Sequence, residues 1–395
     1  MATQKKSKPS PNTSTTAIYQ PSKSSEIVVN NDDLLIQILV KLPLKSLIKF
    51  KSVSKHWLSL ISNPEFLNTF PRSVSGLFQP ILSTVIRGYE LINLNESSKA
   101  AIPSLGFTKY PSGSKILHSC NGLLLCYGSA DKHGPKLDYV YNPTTKKHTV
   151  LPPRPFSRTI WSLSLAFDPS KSPYYKVVCV SSRETNDNPC EIEIYSSETR
   201  TWRLSGDTFN ARLYTEFEGG VFWNGAVHWI SSSEPFLYLN VNEERLSQMP
   251  SPPNVYELDE DGNEKWFRYF GESGGHLHLI YDVSSLQTSH LDVYEMEIDY
   301  SGWFVKFRVD FSQFLLSNGD LSFYRFTVVY IFRGDVDEES YGVIRIPGKV
   351  IRYNFNSKAL DQLPHIEARP RRFKDYGHLP RCSDTHEYIE SVALV

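Results

Sequence analysis

The segment "DYVYNPTTKKHTVLPP" (138–153) decides the fold. It reads as an apolar strand ending on Tyr141, a polar reversal at Asn142-Pro143-Thr144-Thr145, a further strand, and an exit through Leu151-Pro152. Proline presets φ for such a turn, and an asparagine side chain can bond the backbone two residues on. The same order recurs in "EIEIYSSETRTWRLSG" (191–206), "FLYLNVNEERLSQMP" (236–250), "LDVYEMEIDYSGWFVKFRV" (291–309) and "GKVIRYNFNSKALDQLP" (348–364). Each copy follows an apolar stretch of strand character: "SCNGLLLCYG" (119–128), "LAFDPSKSPYYKVVCV" (165–180), "GGVFWNGAVHWIS" (219–231), "GESGGHLHLIYD" (271–282) and "FYRFTVVYIF" (323–332). A worn copy occupies 75–103. The period is about 50 residues, that of a four-stranded propeller blade, and six units suit a closed ring with few open sheet edges. The expected fold is therefore multidomain, with an all-β, six-bladed kelch-like β-propeller over 73–395. Trp202, Trp223, Trp229 and Trp303 are read as wedge-filling aromatics between blades, with ligand binding as the alternative.

Upstream the periodicity changes. In "NNDDLLIQILVKLPLKSLIKFKSVSKHWLSLI" (30–61), Leu35, Ile38, Leu39 and Leu42 fall at i, i+3, i+4 and i+7, which puts them on one helical face. Asp32 or Asp33 can cap this helix and Pro43 ends it. Ser46 can start a second helix carrying Leu47 and Phe50. Ser52 can cap a third, with Val53, Trp57 and Ile61 spaced by four. Asn63-Pro64-Glu65 reads as a cap followed by proline at the first helical position. Three or four short helices over 26–72 bury too little to stand alone. Either the strand domain covers them or another protein does. Residues 1–25 are Ser, Thr, Lys and Pro with little to bury, and are expected to be a disordered arm; "KKSK" (5–8) is read as a solvated tail, with an import signal as the alternative.

Composition bounds the function. The 395 residues are 40% hydrophobic, 13% aromatic and 22% charged, a globular profile, and the formal net charge of −1 gives no overall field for nucleic acid or anionic membrane. No apolar run approaches the roughly 20 residues that cross a bilayer, and the N-terminal lysines precede no apolar segment. Five cysteines, without any CxxC spacing, argue against disulfide staples and structural zinc and for a reducing, intracellular compartment, cytoplasm or nucleus.

With these motifs in hand, residues 30–70 resemble an F-box, and "KLPLKSLIKFKSVSKHWLSLI" (41–61) is similar to that of plant F-box proteins. "SCNGLLLC", "YNPTTKKHTVLPP", "GGVFWNGAVHWI" and the terminal "HEYIESVALV" resemble the F-box-associated domain of that family. The likeness spans 30–395. It implies a Skp-type adaptor as partner, and through it the cullin and RING subunits of a ubiquitin ligase. It implies adaptor contacts by Leu35, Ile38, Leu39, Leu42, Pro43, Leu47, Phe50 and Val53, with Trp57 shared between the helical core and the contact. One departure stands out: the family's Leu-Pro before the acidic pair is replaced here by Asn30-Asn31.

Catalytic signatures are not found. There is no Gly-x-Ser-x-Gly elbow, P-loop or His-Glu-x-x-His helix. Asp259, Asp261 and Asn263 alternate like a calcium loop, but Gly262 is misplaced and no acid closes the loop, so a solvated turn is read. His276 and His278 alternate on one strand without a carboxylate at any set spacing, and are read as ordinary strand histidines. "RPRRFKDYGHLPR" (369–381) has the basic and aromatic mix of a nucleic-acid patch but is read as a loop. The expectation is a non-catalytic ligase receptor without cofactor or metal. A partner-binding scaffold outside the ligase, or a propeller enzyme, are the alternatives. Candidate target loops are 129–136, 183–189, 257–265 and 335–341, their shared face undetermined by sequence.

Overall fold

The structure, a computed structural model, describes residues 31–42, 44–67, 69, 73–81, 88–94, 114–129, 134–155, 159–182, 189–209, 215–231, 236–253, 265–283, 290–310, 326–346, 348–365 and 384–395. The arm 1–25, the run 259–263 and the basic stretch 369–381 lie outside the described residues. By its internal contacts the chain divides into two units, 1–43 and 44–395.

The first unit contributes α1 (Asp32–Leu39). Its cap is Asn31, whose side chain accepts from the Leu34 backbone N–H at 3.1 Å, while Asp32 and Asp33 occupy the first turn. The expected acidic cap thus shifts by one residue. Asparagine caps as well as aspartate, and the two carboxylates then complement the positive end of the helix.

The second unit begins with α2 (Leu44–Phe50), α3 (Lys55–Ser62) and α4 (Pro64–Leu67). Ser54, not Ser52, caps α3, accepting from Trp57 N–H at 3.1 Å; Val53 therefore lies in the preceding turn. The α4 start matches its sequence signal, with Asn63 Oδ1 accepting from Glu65 N–H at 3.0 Å.

The strands form six antiparallel sheets. The first sheet in chain order combines β1 (Gly76–Pro80) and β2 (Tyr89–Asn93) with the last strand, β23 (His386–Tyr388), in the order β2-β1-β23. Four-stranded sheets follow. They are β3–β6 (Lys115–Cys120, Leu123–Gly128, Leu137–Asn142, Lys147–Val150) and β7–β10 (Thr159–Ala166, Lys176–Ser182, Cys190–Ser196, Thr201–Phe209). Next come β11–β14 (Thr215–Trp223, Ala226–Ser231, Phe236–Asn240, Arg245–Met249) and β15–β18 (Lys265–Ser273, His276–Val283, His290–Met296, Trp303–Asp310). The last is β19–β22 (Thr327–Phe332, Tyr341–Ile346, Lys349–Asn354, Leu360–Leu363). The result is a six-bladed propeller, closed where β23, from the end of the chain, pairs with β1 from its start.

Packing confirms closure, because a separate apolar cluster fills each of six seams between neighbouring blades. Phe78 meets Leu124 and Tyr139 at one seam, and Leu123 meets Tyr175 and Tyr195 at the next. Val178 faces Trp229, Trp223 faces Leu279 and Trp303, and Val293 faces Ile351. Ile92 and Leu77 meet Val343 at the last seam. Arg345 also ties it, donating to Gln79 Oε1 and to Glu90 Oε1, the latter at 2.9 Å.

The repeated motifs have physical causes. Asn142 Oδ1 accepts from Thr144 and Thr145 N–H at 2.9 and 3.1 Å, and Asn240 and Asn354 make the same pair of bonds in their blades. A residue with positive φ then closes the turn: Lys146, Glu244 and Lys358. The tryptophans pack in seams, as read from sequence. Trp202 Nε1 donates to Pro152 O at 2.9 Å and Trp303 Nε1 to Pro250 O at 2.8 Å. The last strand of one blade is thereby pinned to the proline exit of the blade before it.

Strand order settles the faces of the candidate loops. Connections between a blade's first and second strands, and between its third and fourth, lie on one rim; all others lie on the opposite rim. Residues 335–341 join β19 to β20 on the first rim, the rim of the Asn142 turn. The strand ends that flank the segments 129–136, 183–189 and 257–265, among them Gly128, Leu137, Ser182, Cys190 and Lys265, lie at the other, while most residues of those three segments fall outside the described residues.

Candidate functional site

The helices present apolar side chains of two kinds. In α1, Leu35 and Leu39 are buried, whereas Leu34 and Ile38 are exposed, Ile38 at 48%. The four residues expected on one face, Leu35, Ile38, Leu39 and Leu42, differ in exposure. Successive residues turn by about 100°, so the i,i+4 pairs 35/39 and 34/38 form adjacent rows, one inward and one outward. Leu42 is half-buried and the side chain of Pro43 lies outside the described set.

In the second unit Leu47, Leu60, Ile61 and Phe66 are buried, and Val53 and Leu58 are exposed, Val53 at 59%. Phe50 and Trp57 are half-buried and meet edge to face at 5.3 Å and 71°. Of the sequence-assigned contact residues, Leu35, Leu39 and Leu47 are therefore enclosed by the chain itself. They lie in the interior, while Ile38 and Val53 are exposed. Leu34 and Leu58, unmarked in the sequence reading, join them. Their signal was present as the neighbouring i,i+4 row.

A strap links this helical segment to the propeller within the second unit. Lys51, just past α2, donates from Nζ to Val392 O at 2.5 Å. Residues 389–395 lie along the Asn142 turn: Asn142 Nδ2 donates to Ser391 O (3.1 Å) and Ala393 O (3.0 Å), and Ser391 N–H donates to Thr144 Oγ1 (3.1 Å). Gly122 has φ +86, and a Cβ there would lie 2.4 Å from Ser391 Cβ, so only glycine lets the strap pass. Desolvation, then the charge of Lys147, lowers the Lys51 pKa to about 8.

Inside the propeller, His118 bridges three blades. Its Nδ1 accepts from Leu165 N–H at 3.1 Å, which leaves Nε2 as the donor to Gly220 O at 2.5 Å. Burial lowers its pKa to about 4, so the ring is neutral. His276 and His278 do have a carboxylate partner after all. Glu295, opposite His278 in the β16–β17 ladder, lies 3.0 Å from His276 Nδ1 and 3.3 Å from His278 Nε2. Arg333 Nε approaches the same carboxylate at 3.4 Å. Sequence spacing could not show this, because the register between two strands is not written in either one. Among the described residues no set of three or more His, Cys, Asp or Glu side chains is arranged to hold a metal ion, and no helix is long and apolar enough to cross a membrane.

Short helices with exposed aliphatic side chains thus precede a six-bladed propeller. Comparison with known families agrees: an F-box domain model matches residues 31–69 and an F-box associated beta propeller domain model matches 89–269. The chain is 35% identical to F-box protein At5g07610 of Arabidopsis thaliana over 95% of this chain and 94% of that protein. It is 29% identical to F-box protein At5g49610 of the same plant, over 63% of this chain and 71% of that one. F-box/kelch-repeat protein At5g43190 is also 29% identical, over 59% and 57%. The chain belongs to the F-box proteins that carry an F-box-associated β-propeller.

Proposed function

We propose that this chain is the substrate receptor of a cullin–RING ubiquitin ligase. Its F-box helices dock a Skp-type adaptor, and through it the cullin and RING subunits, while the propeller holds a target protein. The observation that carries the reading is the set of exposed aliphatics, Leu34, Ile38, Val53 and Leu58, on helices that bury Leu35, Leu39, Leu47 and Leu60. Exposed side chains of this kind on short helices, unneeded for the fold, are what a partner covers. In this reading the protein makes and breaks no bonds. It raises the effective concentration of target lysines near the ubiquitin-loaded enzyme.

Asn31 fits the same reading. Where the family places proline, this chain places a side-chain cap, so the start of α1 keeps its order although the family's docking residues are replaced. Nothing at that cap favours a non-ligase scaffold. The test is reconstitution: full-length chain with adaptor, cullin, RING protein and ubiquitin enzymes, read as ubiquitin chains on the receptor and on proteins captured by it. Ubiquitin transfer that depends on the chain upholds the reading. A chain that enters no ligase complex would overturn it.

A further inference from the structure

The seam between the β3–β6 blade and the β7–β10 blade contains a carboxylate oxygen that the fold does not use. Ile192 and Ile194 of β9 pack toward the β11–β14 blade, and Tyr195 packs toward the β3–β6 blade. Strand alternation therefore turns Glu193 toward the β3–β6 blade as well. The residue is 1% exposed. Its Oε1 accepts from Ser181 Oγ at 3.2 Å, and its Oε2 has no hydrogen-bond partner among the described residues. A buried carboxylate oxygen left without a donor destabilises the fold, so its retention points to a donor from outside.

The cations described at this seam serve other groups or face water. Arg154 donates to Asp138 at 2.9 Å and lies over the Trp202 ring, and Lys136 lies over the Tyr127 ring. Lys115, opposite Tyr127 in the β3–β4 ladder, is exposed and does not bond Glu193 Oε2. Inward the seam is packed shut by Leu123, Leu125, Leu165 and Val177. Toward its rim and its outer strand it opens, where Tyr127, Ile160 and Leu204 are 40%, 40% and 42% exposed. All three face the seam. Tyr127 alternates with Leu123 and Leu125, Ile160 pairs with Ser181, and Leu204 pairs with Glu193 itself; residues paired across strands share a face. Gly128, Leu137, Ser182 and Cys190, which flank two of the candidate target segments, are strand ends of these same two blades.

We infer that this seam is a docking groove for a lysine or arginine side chain of a target protein, its stem lying on Tyr127, Ile160 and Leu204 and its cationic head donating to Glu193 Oε2. The inference deepens the target-binding half of the proposed function and rests on it, but not on adaptor docking. Charge and shape select this occupant. An apolar side chain would leave Oε2 unpaired, and an acidic one would be repelled by it. A basic side chain covers the exposed apolar lip with its methylenes and forms a charge-assisted bond at its tip.

The test selects binders from a phage-displayed library of random peptides on the full-length chain. The enriched peptides are then titrated by calorimetry against wild type and Glu193→Gln. Glutamine keeps the shape and the acceptor for Ser181 Oγ, and thermal melting shows whether the fold is kept. The expected peptides lose binding at least about tenfold when one lysine or arginine is replaced by norleucine, and lose it by a similar factor in Glu193→Gln. The variant should melt at or above wild type, since the fold gains nothing from the unpaired oxygen. If it melts lower, Leu204→Arg decides: the position is exposed, and a like charge in the groove should weaken the same peptides at least about tenfold. No enrichment, enriched peptides that need no cation, or equal binding by the deciding variant overturns the inference. The selection needs no adaptor, so failure of this groove and failure of the ligase reading are told apart.

Discussion

Replacing Ile38 or Val53 by aspartate isolates docking from folding. Ile38 keeps 48% and Val53 59% of its surface in the free chain, so a partner can still cover about half of each. Full burial of an aliphatic side chain contributes about 1.5–3 kcal/mol, so covering the exposed half contributes about 1 kcal/mol apiece. Aspartate forfeits that and adds an unpaired carboxylate to a desolvated contact, a penalty of about 3 kcal/mol or more. Each substitution should therefore weaken adaptor binding by about 4 kcal/mol, close to a thousandfold in Kd. The free protein should not notice, since exposed substitutions stay within about 0.5 kcal/mol. Calorimetric titration with a Skp-type adaptor, paired with thermal melting, reads both quantities on one sample. Leu47→Asp is the contrasting variant, because Leu47 is fully buried and its loss should melt the helices. If both surface variants bind the adaptor within threefold of wild type, the assignment of these side chains to the contact is wrong.

Three further outcomes follow from the propeller. Gly220→Ala places a Cβ 2.5 Å from Ser164 Oγ and 2.7 Å from Trp229 Nε1, and should lower stability by about 1–3 kcal/mol in denaturant titration. Arg345→Ala strips the closing seam of the cation that serves Gln79 and the buried Glu90, and should cost about 3–5 kcal/mol, with Arg345→Lys recovering only part. His118, His228 and His386 have folded pKa values lowered from 6.5 to about 4, about 4 and about 3, chiefly by burial. The unfolded chain binds their protons first, so stability should fall as pH drops below 6.5 and the loss should level off near pH 3 to 4. A wild-type stability curve flat from pH 6.5 to 4 would contradict neutral, buried rings at these positions.

How much of this was legible in the sequence depends on the range of each interaction. The turns were readable because Asn142 bonds residues two and three ahead of it, all within one tetrapeptide. The tryptophans were readable as seam packing because their size and spacing recur with the blade. Closure by β23 was not, since pairing Gly76 with Tyr388 joins opposite ends of the chain and leaves no local trace. The Glu295 partner of His276 and His278 was hidden because it depends on the register between two neighbouring strands, which neither strand carries alone. In the helices the period located the apolar rows but not which row turns inward, and a one-residue difference in phase separates buried Leu39 from exposed Ile38. Asn31 looked like the loss of a docking residue; its side chain proved to be the cap of α1. The strap carrying Val392 onto Lys51 spans 341 residues of sequence and could be found only in three dimensions.

The central claim is that the exposed aliphatics of the F-box helices are completed by an adaptor subunit. Sedimentation of the full-length chain with a purified Skp-type adaptor addresses it most directly. A one-to-one complex with Kd below about 1 μM, near −8 kcal/mol, is the result expected. Two species that sediment independently at about 100 μM of each would contradict it.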